Sequence, residues 1–310
     1  MRIFVRRLAM LIVSLLEASF VIFAAIYLAP GNPIAALSGG RSIPPDSLRV
    51  LEARYHLDQP FLVQYWYWLT NALHGNLGIS ITLRENVSDL IASRISTTAG
   101  LVLYSSILII AIGVGLGIVS GLRPGFIDNS VLVVTAISAS LPAFVAAIVL
   151  ILVFAVQLQW FPSLGNGVGF FDQVRHLTLP AVVMGLTTVG GTTRFIRASL
   201  LEVMSQDYIR AARAKGLSER RVVWVHGMRN AAVPLIQVFA ITLPVLLSGA
   251  LLIEVVFSWP GLGQLLFNAI LTRDYPLILG ATSLSAAMVI LGNLLADVLH
   301  ALVDPRVRDA

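Results

Sequence analysis

The chain of 310 residues is 57% hydrophobic and 12% charged, with 21 Lys and Arg against 16 Asp and Glu. Soluble domains carry about 25% charged residues, so this composition excludes a water-soluble globular protein and predicts segments that lie in lipid. The absence of cysteine excludes disulfides and thiolate metal sites. The basic residues adjoin apolar stretches, so the net charge of +5 indicates membrane orientation and not nucleic-acid binding.

Six apolar stretches are long enough to cross a bilayer, and lipid offers no hydrogen-bond partner to a bare backbone amide, so each is predicted to be helical. They are residues 8–29, 97–122, 131–160, 177–195, 231–255 and 277–302. Pro142, Pro180, Pro234 and Pro244 lie in or near these stretches and predict bends. The first stretch is too long for the core of a signal peptide and is expected to be retained. The sequence therefore predicts an all-α membrane protein with six transmembrane helices.

Lysine and arginine are unevenly distributed between the two sides of this arrangement. Fourteen lie on the side of the N-terminus and seven on the other side. The positive-inside rule then predicts that both termini are cytoplasmic and that residues 30–96 form a large external segment. Within that segment, Asp46 is expected to cap an amphipathic helix over residues 47–52, and residues 64–68 have the pattern of an interfacial aromatic belt.

One predicted cytoplasmic loop, residues 205–230, has the pattern of two short helices. Ser205 is expected to cap the first helix, and Asp207 places a carboxylate in its first turn, where the helix dipole favours negative charge. Gly216 can adopt the left-handed conformation that ends a helix, and Ser218 can begin the second helix. The loop is thus predicted to contain a short, capped helix beneath the membrane.

The first of these helices has features of a docking surface. Ala211 and Ala212 are small and allow a partner to approach the backbone closely, while Tyr208 and Ile209 are expected to supply an apolar anchor. The basic side chains can meet acidic residues of a partner. An interfacial helix on anionic headgroups is the alternative, although the narrow apolar face and the alanine pair make a poor membrane anchor.

The run over residues 208–217, Tyr-Ile-Arg-Ala-Ala-Arg-Ala-Lys-Gly-Leu, resembles a loop of ABC-importer permeases that carries a Glu-Ala-Ala pattern followed by glycine. Arg210 stands where the glutamate would be, as in the dipeptide/oligopeptide/nickel subfamily. Residues 28–33, 254–263 and 273–275 are similar to other stretches of the B-type permease of that subfamily. In this order and spacing, the motifs identify the chain as a member of that family by resemblance.

The resemblance implies a type I ABC importer permease fold in the plasma membrane of a prokaryote. Residues 1–96 would form the first transmembrane helix and the external segment, 97–304 the permease core, and 305–310 a cytoplasmic tail. The implied partners are a second homologous permease, two cytoplasmic ABC ATPase subunits or domains, and an external solute-binding protein. ATP and Mg would be bound by the ATPases, with no cofactor in this chain. Peptides are the implied solute, and nickel or glutathione are the alternatives within the family.

The same resemblance makes the short helix of the loop a coupling helix that meets an ATPase. The residues that it implies for this contact are Asp207, Tyr208, Ile209, Arg210, Ala211, Ala212, Arg213, Lys215, Gly216 and Leu217. It implies no catalytic residue and no metal ligand, and it does not identify the residues that contact the solute.

The residues themselves exclude nucleotide hydrolysis by this chain. A P-loop needs a Gly-Lys pair, whereas the only lysine, Lys215, follows Ala214. The five histidines lack a metal-binding spacing. Gly113, Gly115 and Gly117 form no dinucleotide fingerprint and are better explained by close packing of helices.

Four charged residues in or near the predicted spans have open roles. Glu17 and Asp297 could line the pathway or pack against neighbours, and Arg194 and Arg197 could anchor to headgroups or pack. Two other classes of protein compete with the permease hypothesis. A secondary transporter would need inverted repeats, and a membrane-embedded enzyme would need a cluster of histidines or acids, neither of which is evident.

Overall fold

A computed structural model describes residues 2–28, 44 and 58–303, and this part of the chain is almost entirely helical. The helices are α1 Arg2–Leu28, α2 Phe61–Leu73, α3 Val87–Leu122, α4 Phe126–Ser140, α5 Ala143–Leu150, α6 Phe170–Met204, α7 Asp207–Ala214, α8 Glu219–Arg221, α9 Met228–Val256, α10 Leu262–Thr272 and α11 Tyr275–Val303. Two π-helical segments, Ile151–Gln157 and Val222–Gly227, follow α5 and α8. The predicted all-α class is therefore confirmed.

Each of the six predicted spans lies largely within helical chain, but the predicted number of crossings is not established. By length and composition, three described helical segments can cross a membrane: Ala9–Leu28, Val87–Leu122 and Tyr275–Ala296. A fourth is added if α4 and the helix after it are one bent span. Six crossings and cytoplasmic termini thus remain predictions.

The third predicted span, residues 131–160, is not one continuous helix. It consists of α4 and the chain from Ala143 to Gln157, which meet at an angle of 101°. Leu141 is extended (φ −79°, ψ 128°), as the residue before a proline tends to be, and Pro142 then begins α5. Pro180, by contrast, lies inside the unbroken helix α6.

The second predicted span begins earlier than expected, because α3 already starts at Val87. The added turns are amphipathic, and Val87 and Ile91 are buried against apolar residues of α10 and α11. Helix α3 is therefore lengthened by packing against protein, which a count of lipid-spanning residues does not detect.

The chain divides into two compact units, the first of which comprises Met1–Ala99 and Pro260–Ile290. In this unit, the fully buried Asp274 lies at the start of α11. Its carboxylate accepts hydrogen bonds from Ser80 Oγ at 2.5 Å, from Thr82 N at 2.9 Å and from Leu277 N at 3.3 Å. Asp274 thus caps α11 and holds the loop between α2 and α3 against its start.

The second unit comprises Gly100–Trp259 and Leu291–Ala310, and α6 is its central helix, in contact with α4, α5 and α9. Helix α3 also lies very close to α6: a Cβ built at Gly113 would lie 2.6 Å from Thr192 Cγ2, and one at Gly117 2.8 Å from Ile196 Cβ. A Cβ at Gly115 would meet no atom within 4 Å. The close-packing interpretation therefore holds for two of the three glycines.

Several sequence expectations fall outside the described residues. They include the capped helix over 47–52, the stretch 29–33, the tail 305–310 and the side chain of Asp297. Glu17 is described and lies on an exposed side of α1.

Candidate functional site

The predicted coupling helix is present as α7, but its N-cap differs from the expectation. Ser205 has helical backbone angles (φ −86°, ψ −10°) and ends α6, with its Oγ donating to Glu202 O at 2.7 Å. Gln206 is extended (φ −69°, ψ 151°) and is the N-cap of α7. The assignment of Ser205 as N-cap was wrong because α6 continues to Met204 and uses this serine at its own end. Asp207 lies in the first turn, as expected.

The end of α7 is a Schellman motif. Gly216 has a φ of +75°, a conformation that glycine adopts without a Cβ penalty. Its N–H donates to Arg213 O at 2.9 Å, and the N–H of Leu217 donates to Ala212 O at 3.4 Å. These two bonds satisfy carbonyls that the helix end leaves free, and they turn the chain sharply into α8.

A small apolar core holds the loop together. Ile209, Ala212 and Val222 are buried, and Met204 and Leu217 pack against them. Ile209 is therefore not available as an anchor for a partner, contrary to the expectation, and Ala212 is 7% exposed. The reason is that α7 folds back over the start of the next helical segment and turns these two side chains inward.

An exposed ion pair closes the same bend. Arg213 Nε and Nη2 donate to the two carboxylate oxygens of Glu219 at 3.1 and 2.6 Å. These hydrogen bonds hold the pKa of the Glu219 carboxyl below its usual value and raise the pKa of Arg213. Both side chains are substantially exposed to solvent, so the pair is screened and contributes little to stability.

We expect Glu219→Gln to lower the free energy of opening of the loop by about 0.2–1 kcal/mol at neutral pH. Because the folded-state pKa of Glu219 is lowered, its contribution is present above the unfolded-state pKa and is lost as the pH falls through the folded-state pKa. Hydrogen exchange of amides 207–222, corrected for intrinsic rates, measures the difference between the two proteins. An equal difference at neutral and acidic pH would contradict the prediction.

The surface of the loop is strongly basic. Tyr208, Arg210 and Ala211 are exposed on α7, and Lys215 is exposed directly after it. An open depression lies at α8 and the π-helical segment after it, and the residues that line it are Ser218, Arg220, Arg221 and Val225. A partner that covers this surface must bring carboxylates or other anions to it.

The loop is joined to long helices at both ends with almost no slack. Only Ser205 and Gln206 separate α6 from α7, and the π-helical segment Val222–Gly227 joins α8 to α9 without a break. Helices α6 and α9 are in extensive contact with each other. Both ends of the loop thus connect directly to a pair of long helices that contact each other.

A partly buried ion pair in the second unit was not predicted from the sequence. Asp128 at the start of α4 accepts hydrogen bonds from Arg197 Nε at 2.7 Å and from Arg197 Nη2 at 2.6 Å, and also from Ser120 Oγ. Of the two readings left open for Arg197, packing within the protein is the one observed. Among the described residues, no group of three His, Cys, Asp or Glu could hold a metal ion.

Comparison with known proteins identifies the family. A profile of the family described as "binding-protein-dependent transport system inner membrane component" matches residues 113–309, and the profile of its N-terminal part matches residues 1–102. The chain is 39% identical to the oligopeptide transport system permease protein AppB of Bacillus subtilis (strain 168), over 98% of each chain. It is 37% identical to the di/tripeptide transport system permease protein DppB of Pseudomonas aeruginosa (strain UCBPP-PA14), over 98% of this chain and 97% of the other.

A further relative is the glutathione transport system permease protein GsiC of Escherichia coli (strain K12), which is 36% identical over 98% of each chain. Among solved structures, an inward-facing conformation of the MetNI methionine ABC transporter matches 69% of this chain and 96% of its own, with a TM-score of 0.58 and 20% identity. This match shows the type I importer permease fold.

The chain belongs to the family of binding-protein-dependent transport system inner membrane components. It is accordingly a multi-pass permease subunit of an ABC importer in the inner membrane. The family expected from the sequence motifs is confirmed.

Proposed function

We propose that this chain forms half of the pathway through which an ATP-driven importer takes up peptides. The observation that carries the solute class is end-to-end similarity to permeases named for oligopeptides and for di- and tripeptides. In this proposal, residues 1–96 form the first of six spans and the external segment, and residues 97–304 form the permease core. The tail 305–310 and the N-terminus lie in the cytoplasm.

The proposed complex contains four kinds of component. This chain pairs with a second, homologous permease; two cytoplasmic ABC ATPase subunits or domains bind ATP and Mg; and an external solute-binding protein delivers the peptide. The description of the family as binding-protein-dependent supports this composition. The chain itself then hydrolyses nothing and transmits movement.

Within the complex, the loop 205–230 is proposed as the contact with an ATPase. Its exposed side chains on α7 would enter the contact, whereas Ile209 and Ala212 would hold the helix in shape from beneath. Since only two residues separate α7 from α6, closure of the ATPases would move α6 and α9 and shift the bundle between two packings.

Ala211→Trp tests the contact because Ala211 is exposed, so a large side chain there leaves the core of the loop intact. An overpacked contact costs about 1–3 kcal/mol, and we therefore expect roughly a fivefold or greater loss of affinity for the ATPases. Co-purification in detergent measures it. Ala211→Ser is the matched control and should retain the ATPases. Full capture of the ATPases by Ala211→Trp would refute the docking assignment.

Glutathione is the second candidate solute, favoured by the similarity to the glutathione permease over nearly the whole chain. Uptake of labelled trialanine and labelled glutathione by the reconstituted importer separates the two candidates. A stand-alone secondary transporter is a different class, and it predicts uphill uptake by this chain without any ATPase.

A further inference from the structure

The second unit contains a partly buried electrostatic junction between three helices. Asp128 of α4 is 6% exposed. Its carboxylate accepts hydrogen bonds from the hydroxyl of Ser120 on α3 and from the guanidinium of Arg197 on α6. The Asp128 side chain is largely shielded from water, whereas the Arg197 side chain is 29% exposed. A shielded carboxylate is held strongly only if its partner is present and hydrogen-bonded. The geometry meets this condition with a bidentate ion pair and a third hydrogen bond.

The junction lies close to the coupling helix along the chain. Arg197 is seven residues, about two turns, before Met204, where α6 ends and the chain passes into α7. On the other two helices, Ser120 and Asp128 lie on either side of the short connection between α3 and α4. The base of α6, which α7 would move, is thus bonded to the end of α3 and to the start of α4.

The same three helices also pack closely further along their length from the junction. A Cβ at Gly117 of α3 would lie 2.9 Å from Thr193 O, and one at Gly190 of α6 would lie 2.8 Å from Thr135 O of α4. Backbone atoms make these contacts, so the helices cannot slide past one another without losing them. However, such packing permits rocking about the contact points, and the polar junction at one end removes that freedom.

We propose that Asp128 and Arg197 are positioning residues that make α3, α4 and α6 move as one body when the coupling helix moves. The inference rests on the proposed function of the loop, since it concerns which helices move when α7 is displaced. Without the junction, closure of the ATPases would still displace α7 and the end of α6 next to it. The displacement of α3 and α4 would be smaller. ATP would then be hydrolysed with less solute moved.

The test uses the whole importer in lipid, with cysteine-free partner subunits. This chain has no cysteine, so cysteines introduced at Val133 of α4 and Leu201 of α6, both exposed, carry the only spin labels. We expect the same distance distribution in the nucleotide-free complex and in the complex trapped with ATP, Mg and vanadate. In Asp128→Asn we expect the distribution to shift or broaden on trapping. A native distance that changes between the two states, or an unchanged distribution in Asp128→Asn, would overturn the proposal.

A second measurement separates positioning from simple structural support. The ratio of trialanine imported to ATP hydrolysed is expected to fall about fivefold or more in Asp128→Asn, the lower end of typical coupling between sites. Arg197→Lys keeps the charge but not the bidentate geometry, and should recover part of the ratio. Arg197→Gln combined with Asp128→Asn should be no worse than either alone. A lower yield of complex with an unchanged ratio would show that the pair only supports the fold.

Failure of this inference is distinguishable from failure of the proposed function. If the native chain captures no ATPase, the docking assignment is wrong. If the native importer hydrolyses ATP but imports neither trialanine nor glutathione, the assigned solute class is wrong. If the native complex forms and transports and the junction variants keep the native ratio, only the positioning role of Asp128 and Arg197 is wrong.

Discussion

Replacing Gly117 with leucine is expected to separate α3 from α6 and to lower the thermal stability of the purified protein sharply. Even a Cβ at this position would lie 2.8 Å from Ile196 Cβ and 2.9 Å from Thr193 O. Neither atom can rotate away, because one is the branch point of a side chain and the other belongs to the backbone. Overpacking by a few methylenes costs about 1–3 kcal/mol, and a leucine that meets backbone lies at or above the top of that range.

Gly115→Leu is the matched control for this change. It lies two residues away on the same helix and carries the same substitution, but a Cβ there meets no atom within 4 Å. We expect the melting temperature of the detergent-solubilised chain to fall in Gly117→Leu and to stay near the native value in Gly115→Leu. Leucine has a higher helix propensity than glycine, so propensity lowers the stability of neither variant. If both variants lose the same amount, the close contact of Gly117 with α6 is not what limits the stability of α3.

The helical content of this chain could be predicted from the sequence. In lipid, the backbone of a long apolar run must hydrogen-bond to itself, and a helix is the structure that allows this. The prolines show the limit of that argument. Four were expected to bend the spans, yet α6 continues through Pro180 without a break, while the chain turns by 101° next to Pro142. Whether a proline breaks a helix depends on whether its neighbours hold the two halves in line, and this is a property of the packed bundle.

The coupling loop was predictable where local rules decide its shape. Gly216 ends α7 in the left-handed conformation, and Asp207 lies in its first turn. Both features follow from the residue preferences of helix ends, which depend on residues close in sequence. The inward direction of Ile209 was not predictable, because it depends on contact with Val222, thirteen residues later. Asp128 and Arg197 are 69 residues apart, and no spacing rule joins them.

Ile209→Ala is expected to destabilise the coupling loop and, with it, the attachment of the ATPases. The side chain is fully buried among Ala212, Val222 and two partly buried neighbours, so its truncation leaves a cavity in a core that contains little else. Isoleucine-to-alanine changes in cores cost about 2–5 kcal/mol. A core of five residues cannot absorb that loss, so we expect amides 207–222 to exchange much faster and ATPase capture to fall.

Tyr208→Ala separates loss of the loop from loss of its surface. Tyr208 precedes Ile209 in the chain but is 41% exposed, so its truncation should leave the exchange of amides 207–222 near the native rates. Weaker ATPase capture in Tyr208→Ala, with native exchange, would place the contact on the exposed face of α7. If Ile209→Ala instead keeps both slow exchange and full capture, the small core does not hold the loop in shape. The contact with the ATPases would then have to hold it.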